Sequence, residues 1–101
     1  MSPRAGAAVT ASPEVLTRLR DEVERIDAAL VALIAERVEL ARGVGEVKRA
    51  LGLPTLDPSR EAAVIRRAGE LARGAGVDPE EVRGLFWCLV GLSRRAQEEA
   101  R

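Results

Sequence analysis

The 101-residue chain has no histidine and no tyrosine, and only one cysteine, one phenylalanine and one tryptophan. Without histidine, the commonest general base and the usual activator of a nucleophilic side chain are both missing. Cys88 alone can form no intramolecular disulfide, and no cluster of Cys or His offers a metal site. Net charge is absent too: sixteen Lys and Arg balance sixteen Asp and Glu, which argues against a general binder of nucleic acid or anionic membrane. A local cationic pocket stays open. No run approaches the ~20 apolar residues of a membrane span, and the small, polar opening residues lack the apolar core of a signal peptide. A cytoplasmic, soluble protein is expected, with neither a membrane nor a nucleic acid as partner.

What remains is an aliphatic chain. Apolar residues make up 47% of it, nearly all Leu, Val, Ile and Ala, and the rest is rich in Glu and Arg. This composition favours an all-α fold, and the length fits a single domain. Residues 1–12 show no periodicity and are expected to form a flexible tail ahead of a helical domain spanning 13–101. Ser12-Pro13-Glu14 then supplies a helix start: a capping hydroxyl, proline at the first helical position and an acid in the first turn.

From Pro13 to about Leu51 apolar residues recur at steps of three and four: Leu16, Leu19, Val23, Ile26, Leu30, Leu33, Leu40, Val44, Val47 and Leu51. One helix of this length would measure roughly 60 Å, about twice the diameter of a compact domain of this size. The fifty residues that follow cannot cover it, so the helix is either a coiled coil or reaches into a second copy. Gly43 and Gly45 each cost about 1 kcal/mol inside a helix, tolerable where another backbone or a ligand approaches closely. Gly52-Leu53-Pro54 ends this helix. Asp57-Pro58 starts a second, expected to run to Arg73 and to close at Gly74-Ala75-Gly76. Asp78-Pro79-Glu80 opens a third.

Several polar residues fall on faces otherwise suited to a core. Arg37 stands in the helix 1 seam where an apolar residue is due, and Lys48, three turns on, returns to the same side. Glu61 lies on the inner stripe of helix 2 (Val64, Ile65, Ala68, Leu71, Ala72). Ser93 and Gln97 continue that of helix 3 (Val82, Leu85, Phe86, Leu89, Val90). Singly, each has a bland reading: a seam arginine fixes register, a lysine snorkels, a serine bonds its own helix. Together, on three helices and with an excess of cations, they point to a polar pocket inside a helical bundle. Such a set suits a small dianion bearing a hydroxyl.

The segments Leu19-Arg20-Asp21-Glu22-Val23-Glu24-Arg25-Ile26-Asp27, Leu33-Ile34-Ala35-Glu36-Arg37, Val44-Gly45-Glu46-Val47-Lys48, Asp57-Pro58-Ser59-Arg60-Glu61 and Leu92-Ser93-Arg94-Arg95-Ala96-Gln97 resemble, in order and spacing, the all-helical (type II) chorismate mutases. The resemblance covers about Val15 to Gln97. It implies three helices per protomer in an intertwined homodimer whose long first helices pair, and two active sites, each receiving one arginine from the other protomer. By match to the motif that arginine is Arg20. Arg37 and Lys48 match the other helix 1 cations, Arg60 and Glu61 the Arg-Glu pair, and Ser93 and Gln97 the polar pair of the last helix. Asp57 matches a position whose backbone N–H lies near the substrate hydroxyl. The implied activity is rearrangement of chorismate to prephenate, which needs no cofactor, no metal and no proton transfer, so the missing histidines cost nothing. Within it, Arg37, Lys48, Glu61 and Gln97 are the catalytic candidates.

The same fold also serves isochorismate pyruvate lyases and 4-amino-4-deoxychorismate mutases; Glu61 suits the hydroxyl of chorismate but could also face an amine. From another class, a non-catalytic dimerisation or regulatory module would explain the long seam, but not Lys48, Glu61, Ser93 and Gln97. A second shikimate-pathway enzyme is a candidate partner. Cys88 and Trp87 read as packing residues.

Overall fold

A computed structural model describes residues 11–99, so nearly all of the expected tail, 1–12, lies outside the described residues. Three helices follow in order: α1 Pro13–Ala50, α2 Pro58–Ala75 and α3 Pro79–Glu99. No strand occurs among the described residues, and no helix of these residues is long and apolar enough to cross a membrane.

The capping chemistry sets the boundaries. The Ser12 hydroxyl accepts from the Val15 N–H at 3.1 Å, and the Asp57 carboxylate accepts from the Arg60 N–H at 3.1 Å. Asp78 accepts from the Glu80 N–H at 2.9 Å ahead of α3. Helix α1 closes in a Schellman motif: Gly52 takes φ +72°, its N–H donates to the Arg49 carbonyl, and the Leu53 N–H donates to the Lys48 carbonyl. Helix α2 ends the same way, with Gly76 at φ +76° and its last residue, Ala75, two beyond the expected Arg73. Gly74 does not stop it because only Gly76 adopts the left-handed conformation that terminates a helix.

Helix α3 packs against both α1 and α2, whose backbones do not approach each other closely. The contacts are made by small residues: Ala41 and Gly45 of α1, Ala68, Gly69 and Ala72 of α2, and Ser93 and Ala96 of α3 are buried, together with Ile65 and Val90. The chain measures 60 × 24 × 15 Å with a radius of gyration of 18.1 Å, against about 13 Å for a compact chain of this length. Helix α1 accounts for the elongation. All ten residues of its apolar seam are exposed, from 45% at Leu19 to 70% at Leu40.

The seam and the face that meets α3 are therefore different sides of α1. At about 100° per residue, Ile34, Val38, Ala41 and Gly45 form one strip, and Leu33, Leu40, Val44, Val47 and Leu51 another about a third of a turn away. Arg37 and Lys48 fall on the border between them. Arg37 is thus less a flaw in the seam than the edge of a second face.

The two α1 glycines separate cleanly. A Cβ on Gly45 would lie 2.5 Å from the Gln97 carbonyl oxygen and 2.8 Å from its Cα, whereas one on Gly43 would meet nothing within 4 Å. Gly45 is the point where the backbones of α1 and α3 come together, three residues from Lys48. Gly45→Ala should therefore force α3 outward and destabilise the protein by about 1–3 kcal/mol, despite the better helix propensity of alanine. Comparing the urea unfolding midpoints of Gly45→Ala and Gly43→Ala checks this; equal midpoints would refute the close approach.

Candidate active site

Seven of the eight expected site residues line one cavity of about 490 Å³: Arg37 and Lys48 from α1, Asp57 and the Arg60-Glu61 pair from the start of α2, and Ser93 and Gln97 from α3. Its apolar wall is formed by Leu40, Ala41, Val44, Val64 and Val90. This size and mixture suit a small organic molecule. Arg20, the eighth, lies elsewhere, exposed on the N-terminal half of α1.

The polar groups hold one another in place. Arg37 Nη1 donates to Ser93 Oγ, and this hydroxyl is buried. With its oxygen engaged by the guanidinium, the Ser93 O–H is free to donate, so both groups offer protons. Lys48 Nζ donates to the Thr55 carbonyl and to Gln97 Oε1, both at 2.9 Å. An ammonium has three donors, so one is left. Because Gln97 accepts through Oε1, its amide NH₂ is the part left to donate. The Gln97 carbonyl accepts from Arg49 Nη1 at 3.0 Å, tying the end of α3 to α1.

Glu61 is the acidic counterpart. Arg94 approaches it with a fork, Nε to Oε2 at 2.9 Å and Nη2 to Oε1 at 2.8 Å. These charge-assisted bonds hold the Glu61 carboxyl below its ordinary value, with Lys48 adding a weaker pull in the same direction; burial and Asp57 act against them. Arg94 is correspondingly pushed up, first by its hydrogen bonds to Glu61. Since the folded value is depressed, the stability Glu61 contributes is present above the ordinary glutamate value of 4.5 and lost as pH falls through the lowered one. The Asp57 carboxylate is committed to the α2 cap, so its side chain shapes the rim and does not stand free in the cavity.

Two participants are not legible in the residue pattern alone. Arg94 sits beside Ser93 in a run of arginines, and nothing in the spacing marks it as the partner of Glu61; the need of an inward acid for a cation was the one available signal. Thr55 acts through its backbone carbonyl, which carries no residue signature.

With this geometry in view, comparison with known proteins places the chain. Residues 19–98 match the family model described as Chorismate mutase type II. The chain is 34% identical over 86 residues to a chorismate mutase of Methanocaldococcus jannaschii, covering 85% of this chain and 87% of that protein. It is 45% identical over 71 residues to a T-protein of Enterobacter agglomerans, covering 70% of this chain but only 19% of that relative's length. A 4-amino-4-deoxychorismate mutase of Streptomyces pristinaespiralis is 31% identical over 97 residues, covering 96% of this chain and 74% of that one. Among solved structures, a conserved hypothetical protein from Pyrococcus furiosus superposes with a TM-score of 0.68 at 33% identity, over 86% of this chain and 99% of the other. The chain belongs to the type II chorismate mutase family.

Proposed function

We infer that the protein is a chorismate mutase, an isomerase that converts chorismate to prephenate. The observation that carries this is the convergence of Arg37, Lys48, Arg60, Glu61, Ser93 and Gln97 on one cavity in a chain of this family. In this pericyclic reaction the ether C–O bond breaks as a C–C bond forms around a six-membered ring of atoms. No proton moves and no group leaves. Catalysis then consists of holding the flexible substrate in its reactive chair-like conformer and matching the charge that develops.

In this reading Arg37, with Ser93 beside it, holds one substrate carboxylate, and Arg60 helps from the rim. Arg20 of a second copy holds the other. Lys48 and Gln97 donate to the ether oxygen, which gains negative charge as its bond breaks; this interaction strengthens in the transition state and so raises the rate. Glu61 accepts from the ring hydroxyl. The exposed α1 seam, an apolar strip running the length of a helix that α3 covers only at one end, supports an intertwined homodimer in which the two α1 helices pair.

The direct test is to add purified protein to chorismate, follow loss of its absorbance and identify the product. Prephenate is expected; an unchanged substrate would overturn the reading. 4-Amino-4-deoxychorismate is the second substrate to offer, because the Streptomyces relative bears that substrate in its name.

Gln97 provides a sharper check. Gln97→Glu replaces an amide donor by a group that donates only when protonated. An ordinary glutamate is ionised at neutral pH, and the neighbouring Lys48 ammonium would favour the charged form further. The variant should be nearly inactive at neutral pH and gain activity as pH falls toward 5 and below. A variant with the pH profile of the parent would exclude contact with the ether oxygen.

A further inference from the structure

We propose that Arg94 sets the substrate preference of the site, by neutralising Glu61 so that the pocket accepts a hydroxyl-bearing substrate and disfavours its amino counterpart. This rests on the chorismate mutase reading above and deepens it.

Glu61 is the acidic side chain of the cavity whose carboxylate is not committed to a helix cap, and in the proposed reading it receives the substituent by which the substrates of this fold differ, hydroxyl against amine. Left alone, an ionised carboxylate there would attract an ammonium more strongly than a neutral hydroxyl. An amine of this kind is largely protonated near neutral pH. Arg94 changes that balance. Its fork engages both carboxylate oxygens, at 2.8 and 2.9 Å, from a position on α3 one residue beyond the buried Ser93. Each oxygen retains a lone pair, so Glu61 can still accept from a hydroxyl. The pair as a unit carries no net charge, and a second cation entering would be opposed by the Arg94 guanidinium paired to Glu61 and by the Lys48 ammonium that lines the same cavity. The penalty therefore falls on the amine and spares the hydroxyl.

The pair is also well placed to be a selector and not a mere strut. The Glu61 side chain, which lines the cavity, is 19% exposed, and that of Arg94, which does not line it, is 34% exposed. Helices α2 and α3 pack together apart from this pair, with Ile65, Ala68 and Ala72 of α2 and Val90 and Ala96 of α3 all buried. Arg94 acts through Glu61 and is a positioning residue; it need not touch the substrate.

The test compares two substrates in the same preparations. kcat/KM is measured for chorismate and for 4-amino-4-deoxychorismate with the parent protein, Arg94→Met and Arg94→Lys. The ratio of the two constants cancels any loss of folded protein, which would lower both equally. Arg94→Met, which keeps length but not charge, should shift the ratio toward the amine by about tenfold, and Arg94→Lys should restore much of the parent preference. An unchanged ratio in Arg94→Met, in a protein whose parent turns over chorismate, overturns the proposal and leaves the activity standing. A parent that turns over neither substrate overturns the functional reading itself.

Discussion

Lys48→Ala is expected to lower kcat for chorismate rearrangement by about three orders of magnitude with little change in folding. The reasoning starts from donor counts. Lys48 Nζ spends two bonds on the Thr55 carbonyl and Gln97 Oε1, both at 2.9 Å, and has one left for the cavity. Loss of a single neutral donor to a developing oxyanion costs about 10²–10³ in rate. Here the lost donor is charged, and the amide of Gln97 loses the group that orients it. Because the ether oxygen gains charge only as its bond breaks, the loss should appear in kcat more than in KM. The fold should survive: Lys48 is only half-buried, alanine is the better helix former, and the freed Thr55 carbonyl, in a loop bordered by exposed residues, can turn to water. Steady-state rates beside far-ultraviolet circular dichroism and gel filtration decide it. Full turnover, or a loss matched by unfolding, would remove Lys48 from the chemistry.

Most of this arrangement is legible in the sequence, for identifiable reasons. Three cap-and-proline signals, at Ser12, Asp57 and Asp78, place every helix start, because capping depends on residues adjacent in the chain. The end of α2 is less legible: Gly74 and Gly76 look alike in sequence, and only the hydrogen bonds of Ala72 and Arg73 select Gly76. Arg37, Lys48, Glu61, Ser93 and Gln97 stand out as polar residues on inward stripes, since burying such groups without partners is unfavourable. What the pattern cannot carry is which of them meet. The Arg94 fork on Glu61 depends on how α2 and α3 cross, and the Thr55 carbonyl on the path of a loop. Leu71 and Leu85, assigned to inner stripes, are 56% and 66% exposed. Periodicity marks a face as apolar without saying whether the same chain covers it.

That same ambiguity governs Arg20, and mixing two inactive variants resolves it. Seventeen positions separate Arg20 from Arg37 on one continuous helix, about 25 Å at the standard rise. A straight helix cannot fold back, so no protomer brings its own Arg20 into the cavity that holds its Arg37. If both arginines serve one site, they come from different copies. Arg20→Ala and Arg37→Ala should each be severely impaired, by about a hundredfold or more, since each leaves one substrate carboxylate without its charged partner. Refolded together in equal amounts, they should recover activity, because a mixed dimer has one site with both arginines intact and one with neither. With random pairing, half the dimers are mixed and one of their two sites is whole, so about a quarter of the parent rate is expected. Each variant refolded alone stays at its own low rate. A mixture no better than the average of the two would mean that Arg20 and Arg37 do not share a site across the dimer. Recovery near a quarter would give the exposed N-terminal half of α1 a catalytic reason for its length: it carries an arginine to a cavity that its own chain cannot reach.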